Sequence, residues 1–243
     1  MNQKLIVLVL LTLASSLGTS CSTAPRAQDR QTQSVHPGRE LTVGILIVDG
    51  VYNTELTAPM DMFHHTIFHT DPGMRVVLVG PSLEPVRSFE GLRILPDYSL
   101  ADAPDLDILV VPSAEHSMDT DLENEELMAF VRERGQRAEW VMSLCDGAFI
   151  LAGAGLLDGR EATTFPSDRD RMAEMFPAVQ VLHDVSFVHD GKTITSEGGA
   201  RSFEPALYLC ELLYGKESAD GIAGGLVIDW DKDEIAHRVV PGE

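Results

Sequence analysis

Cys145 lies in Ser143-Leu144-Cys145-Asp146-Gly147-Ala148, where an apolar stretch gives way to a run of small residues. Trp140 to Leu144 has the β-branched and apolar character of a buried strand, and Gly147 to Ala152 brings apolar residues at helical spacing after a glycine. A side chain at such a junction sits on a strained backbone and projects toward the first turn of a helix, whose unpaired N–H groups favour an anion. The chemistry this points to is nucleophilic: a thiol there is expected to ionise more readily than a free one and to attack an electrophilic carbon. The competing reading is a buried small hydrophobe, which is what most free cysteines are.

The elements that must position this thiol follow from periodicity. Val43 to Val48, Arg75 to Gly80, Leu106 to Val111 and Glu139 to Leu144 read as apolar strands, and Glu55 to His69, Asn124 to Arg134, Ser167 to Met175 and Phe203 to Tyr214 as amphipathic helices. Val86–Phe89 with Leu92–Leu95, and Val185–His189 with Thr193–Thr195 across Asp190-Gly191, read as hairpins. Strands apolar on both faces, alternating with helices, predict an α/β fold: a flavodoxin-like, doubly wound and mostly parallel sheet with helices on both faces and a strand-to-helix elbow at Cys145. In such sheets the site lies at the carboxyl ends of the strands. No internal repeat or phosphate-cradling glycine motif is present.

Composition sets the outer limits. With 243 residues, 44% hydrophobic and 23% charged, the chain can build one sizeable core or two small ones. A formal net charge of −20 repels phosphate backbones and anionic headgroups, so neither a nucleic-acid partner nor an electrostatic membrane patch is expected. The N-terminus reads as an export signal over residues 1–20: one positive charge at Lys4, then an apolar run from Leu5 to Leu13 too short to span a bilayer. Leu17-Gly18-Thr19-Ser20-Cys21 resembles the lipobox of bacterial lipoproteins, which implies a lipid on Cys21 as the sole membrane attachment. With Ser22 next, it also implies an envelope address at the periplasmic side of the outer membrane; cleavage by ordinary signal peptidase is the alternative. Residues 21–40, rich in Ser, Thr, Gln, Arg and Pro, read as a disordered tether, 41–230 as the folded domain and 231–243 as a C-terminal tail. Cys210 occupies a core position of the last amphipathic helix, so no disulfide pair is evident and Cys145 remains a free thiol.

The string Ser143 to Ala152, followed by Ala154-Gly155-Leu156-Leu157-Asp158-Gly159-Arg160-Glu161-Ala162-Thr163-Thr164, resembles the elbow region of the ThiJ/PfpI superfamily of class I glutamine amidotransferase-like domains. Within it the similarity is to the branch of isonitrile hydratases and the N-terminal domains of AraC-type regulators. Glu55-Leu56-Thr57-Ala58-Pro59-Met60-Asp61-Met62-Phe63 and Gly191 to Gly199 support it. The resemblance implies that Cys145 is the nucleophile, that Glu55 is the acid contacting its sulfur, and that the protein is a homodimer acting on a small molecule. A carboxylic acid in an apolar pocket can stay protonated near neutrality and shuttle a proton; taken alone, Glu55 is also explained as an acid at a helix N-terminus.

Three positions depart from the family pattern. Phe165 stands where many relatives have a histidine, Ser113-Ala114 where two glycines lend backbone donors to an oxyanion hole, and Asp146 where the residue is often small or Thr. Backbone donors at Ala114 and Asp146 could still bind an oxyanion, although the Asp146 charge opposes one. His116, on the loop after the strand ending at Val111, is a candidate replacement base. His65 and His69 share a helix face but lack a third ligand, so no metal is assigned, and no cofactor. Glu204 reads as an acid compensating the dipole of the last helix. Two functions stand: an enzyme in which Cys145 adds to an isonitrile or reactive carbonyl, and a non-catalytic small-molecule binder or redox-sensitive thiol.

Overall fold

Val43, Ile45 and Leu46 are buried although they belong to both side-chain parities of one strand, so that strand needs cover on both faces. The computed structural model, which describes residues 38–241, provides it. The leader, Cys21 and residues 22–37 of the tether lie outside the described residues. β1 (Thr42–Leu46) runs into α1 (Asn53–His65) and then β2 (Arg75–Gly80). A small antiparallel ribbon, β3 (Val86–Arg87) with β4 (Arg93–Ile94), precedes the edge strand β5 (Tyr98–Ser99). β6 (Ile108–Val111) leads through α2 (Thr120–Glu123) and α3 (Glu125–Arg137) to β7 (Trp140–Leu144) and α4 (Gly147–Gly153). Beyond it come β8 (Glu161–Ala162), α5 (Arg169–Met175) and β9 (Gln180–Val181), the hairpin of β10 (Phe187–Asp190) and β11 (Thr193–Ser196), then α6 (Phe203–Tyr214), α7 (Lys216–Gly225) and β12 (His237–Val239).

The main sheet has the order β12-β10-β11-β7-β6-β1-β2-β5, and every neighbouring pair is parallel except β10 with β11. This is the doubly wound, mostly parallel sheet that the strand pattern predicts. Alternation along β7 divides the core: Met142 and Leu144 join the layer containing Phe63, Ile194 and Leu207, whereas Val141 joins the layer containing Leu127, Phe149 and Leu151. Register then places the chemistry. Val111 lies beside Ser143, and Ser196 beside Leu144, so the segments following β6, β7 and β11 leave the sheet side by side.

Residues 231–241 are not a tail. Residues 237–239 form β12, which pairs with β10, and Trp230 is buried with its Nε1 donating to Glu211 Oε2 at 2.8 Å. A three-residue edge strand has too few positions for an alternation to register in the sequence. Helix α7 was likewise illegible, because Gly221, Gly224 and Gly225 are poor helix formers, yet Ala219, Ile222 and Ala223 bury its inner face. Arg39, at the end of the expected tether, pairs instead with Asp107 at 2.7 Å and Glu139 at 2.6 Å on the domain surface.

Gly147 shows how tightly the elbow is built. A Cβ there would come within 2.1 Å of Val111 O, an atom fixed in the sheet. Gly147→Ala is therefore expected to cost about 3 kcal/mol or more by overpacking, read as a lowered urea midpoint. An unchanged midpoint would show that the elbow opens freely.

Candidate active site

The site at Cys145 begins with a backbone fact. Cys145 has φ 53°, in the left-handed region that costs an L-residue roughly 1–2 kcal/mol. Neighbours hold it there. Cys145 N–H donates to Ser196 O at 3.0 Å, while its carbonyl accepts from Ala148 N at 3.2 Å and lies 3.0 Å from Thr164 Oγ1. Gly198, itself at φ 76°, packs so closely that a Cβ would sit 2.4 Å from Cys145 Cβ. Strand β7, the α4 terminus and the loop after β11 thus fix the thiol, which is 6% exposed.

Glu55, in the first turn of α1 and 5% exposed, meets the thiol from the far side of the sheet edge. Its Oε2 accepts from Ser113 N at 3.2 Å, its Oε1 from Gly199 N at 3.2 Å, and its carboxyl hydrogen-bonds the Cys145 thiol. Burial opposes ionisation, the two amides and the thiol favour it, and burial wins: the carboxyl is pushed from 4.5 up to about 7. The Asp146 charge adds to the same direction.

Asp146 is buried as well, and its side chain does not cap α4. Its Oδ1 lies 2.9 Å from Thr164 Oγ1. Burial raises the group to about 6, against the Thr164 hydroxyl, with the Asp168 charge raising it further and contact with the thiol and the Arg171 charge lowering it. Tyr52, just before α1, completes the wall: burial and the charges of Cys145, Glu55, Glu115 and Asp146 push its phenol up, and its ring packs at a tilt against Phe89 with centroids 4.8 Å apart.

Several expectations change here. The thiol is pushed up rather than down, first by burial and then by the Glu55 and Asp146 carboxylates; the Asp146 N–H bond to sulfur is too small an opposing effect. Ala114 does not offer a free backbone donor, because its N–H is spent on Ser117 Oγ at 2.8 Å; that of Ser113 is taken by Glu55. His116, the candidate replacement base, has an exposed ring that pairs with Asp119 at 3.2 Å. Glu204 lies in the first turn of α6, as expected, and also bridges Ser186 Oγ at 2.6 Å and Arg201 at 2.7 Å. His69 lies over Gly221 of α7, where an added Cβ would fall 2.5 Å from its Nδ1. Cys210 is wholly buried in the core, where its helical position put it, and Phe165 stands 41% exposed beside Thr164.

The structure brings Cys145, Glu55 and Asp146 together and surrounds them with residues that sequence reasoning missed. Tyr52 left a usable signal, an aromatic at the helix entry three residues before Glu55. The bracing of the Gly198 loop left none. Arg169, 8% exposed, donates to Thr163 Oγ1 at 3.1 Å, Val185 O at 3.0 Å and Glu197 Oε2 at 3.0 Å, and Arg201 reaches Glu197 Oε1 at 3.0 Å. A cleft of about 720 Å³ between α1, α6 and residues 226–235 does not include Cys145, Glu55 or Asp146 in its wall.

The chain matches the DJ-1/PfpI family over residues 41–212. It is 32% identical to an isonitrile hydratase of Pseudomonas putida over 179 residues, 74% of this chain and 75% of that protein. A helix-turn-helix transcriptional regulator of Pseudomonas aeruginosa is 27% identical over 155 residues, which cover 63% of this chain and 41% of the regulator. Among solved structures, a ThiJ/PfpI family protein from Pseudomonas syringae superposes with a TM-score of 0.71 at 27% identity, covering 89% of this chain and 85% of that one. With a match of that extent, and the left-handed cysteine standing where β7 turns into α4, the chain belongs to the DJ-1/PfpI family.

Proposed function

We propose that the protein is a cysteine-dependent hydratase of small electrophiles, isonitriles above all, in which Sγ of Cys145 adds to the electrophilic carbon and Glu55 moves the proton. The observation that carries this reading is the hydrogen bond between a buried thiol and a carboxyl poised near 7, at a site whose described contacts to the thiol include no histidine. A thiol pushed upward keeps its proton at neutral pH and needs a base within reach, and a carboxyl at about 7 is matched to that task. The similarity to an isonitrile hydratase supports the substrate class. The acidic surroundings, Glu55, Asp146 and Glu115, disfavour anionic electrophiles and leave neutral ones such as isonitriles and reactive carbonyls. With the Ala114 amide already occupied, acyl transfer through a two-amide oxyanion hole is the poorer fit.

That same occupied amide, together with the raised thiol, favours a second reading, a binder that holds a small molecule without turning it over. A lipid anchor at Cys21, an outer-membrane address and a homodimer form part of the proposal; the first two are supported by the pattern of residues 1–22, the third by the family resemblance.

Benzyl isonitrile incubated with the purified protein is expected to yield N-benzylformamide, followed by chromatography. Cys145→Ser should abolish product, and Glu55→Gln should slow it by about 10²-fold or more, as loss of a general base does. Binding without product at any pH from 5 to 9 would sink the hydratase and leave the binder.

Stability offers an independent check. Because the folded-state pKa of Glu55 is raised from 4.5 to about 7, the native protein holds a proton that the unfolded chain has lost across that window. Its contribution to stability is thus fully present below about 4.5 and is lost as pH rises through 7, by roughly 3 kcal/mol. Urea unfolding across this range should show wild-type stability declining with pH and Glu55→Gln with a flatter dependence.

A further inference from the structure

The thiol is flanked by two buried carboxyls, and the mechanism above uses only one. Asp146 is next in sequence to the nucleophile, is buried, contacts the thiol, and leaves its helix uncapped, so its side chain faces the site rather than serving α4. Its partner is adaptable. Thr164 Oγ1 lies 2.9 Å from Asp146 Oδ1 and 3.0 Å from Cys145 O, and a hydroxyl has a single proton to share between two acceptors. When Asp146 is ionised the hydroxyl donates to it; when Asp146 is protonated the carboxyl donates to the hydroxyl, which turns its own proton to the Cys145 carbonyl. Both protonation states therefore have a hydrogen-bond partner in a buried site, which a group that cycles between them requires.

We propose that Asp146 is a second catalytic acid, which protonates the electrophile as Cys145 adds to it and later takes a proton from the attacking water. The proposal rests on the hydratase reading. For an isonitrile, the cycle runs from the pair holding one proton, in its minor tautomer with Glu55 ionised and Asp146 protonated, since Glu55 holds a proton more tightly than Asp146. Sγ bonds to the terminal carbon, the thiol proton passes to Glu55, and the carbon lone pair takes the Asp146 proton, giving a thioformimidate, R–N=CH–S. Water then adds to that carbon, losing a proton to Asp146 while the nitrogen takes one from Glu55. Collapse of R–NH–CH(OH)–S breaks the C–S bond, and the hydroxyl proton returns to sulfur. The products are the formamide and the starting enzyme, with no oxidant or reductant involved.

The groups facing Asp146 set its pH behaviour: Cys145 and Glu55 across the thiol, Tyr52 on the wall, Thr164, and Asp168 and Arg171 from the segment entering α5. Glu55 and Asp146 interact, so the pair titrates together, and turnover, which needs the pair to hold one proton, should follow a bell between its two steps.

The test separates the two carboxyls by reaction type. Alkylation of Cys145 by iodoacetamide displaces iodide and needs no acid at the electrophile, whereas formamide production from benzyl isonitrile does. Asp146→Asn is expected to lower turnover by about 10²-fold or more and remove the high-pH decline, while adduct formation at Cys145, mapped by mass spectrometry, is not slowed, because loss of the Asp146 charge eases ionisation of the thiol. Glu55→Gln should slow both reactions. Thr164→Val, which keeps the carboxyl, should lower turnover about tenfold or more and slow alkylation by much less, and it carries the test if the Asn variant melts early. Wild-type turnover in Asp146→Asn would overturn the role of Asp146 and leave the hydratase standing. No formamide from the wild type would overturn both.

Discussion

The bond from Cys145 N–H to Ser196 O extends the pairing of β7 with β11 one residue beyond the last residue of β7. That residue is already in the left-handed region, so the sheet itself holds the thiol in a conformation it would not adopt alone. Much else at the site follows from this. Gly147 must lack a side chain because the turn presses it onto Val111 O, and Gly198 must lack one because the returning loop crosses the Cys145 backbone. Thr164 can reach both the Cys145 carbonyl and Asp146 because the turn presents them side by side.

The electrostatics of the site are a contest that burial wins. A helix N-terminus beside a thiol ordinarily lowers its pKa. Here α4 is only seven residues long, and burial together with the charges of Glu55 and Asp146 acts the other way. The sulfur keeps its proton, and the carboxyls become the groups that titrate near neutrality. A thiol so placed would react through proton transfer at the moment of attack rather than from a standing population of thiolate. This is a different way of using a cysteine from one that relies on a resident anion.

Much of this was legible in the sequence, and the part that was not has physical causes. Apolar runs such as Arg75–Gly80, and Phe203–Tyr214 with its 3.6-residue spacing, carry their structure in their own residue types, which is why the sheet and its covering helices could be read. Cys145 and Glu55 were found because a strand-to-helix junction and a family motif marked them. What failed depended on context. The direction of the thiol shift needed the burial that only tertiary packing supplies, and the Ala114 amide was lost to Ser117, three residues away in a loop without periodicity. Arg169 reads in the sequence as a surface charge at a helix start, and only the fold brings Glu197 and the Val185 carbonyl to it.

The contact between Glu55 and Gly199 joins residues 144 positions apart, whereas those that shape the turn at Cys145 are far shorter in sequence, Thr164 lying 19 residues on. Closing the long loop has a larger entropic cost, and pairings of that separation form slowly. The same late segment completes both parts of the site, since Ser196 and Gly198 hold the turn at Cys145 and Gly199 donates to Glu55. The left-handed turn at Cys145 and the buried Glu55 carboxyl therefore reach their final geometry together, once β11 and its following loop have docked.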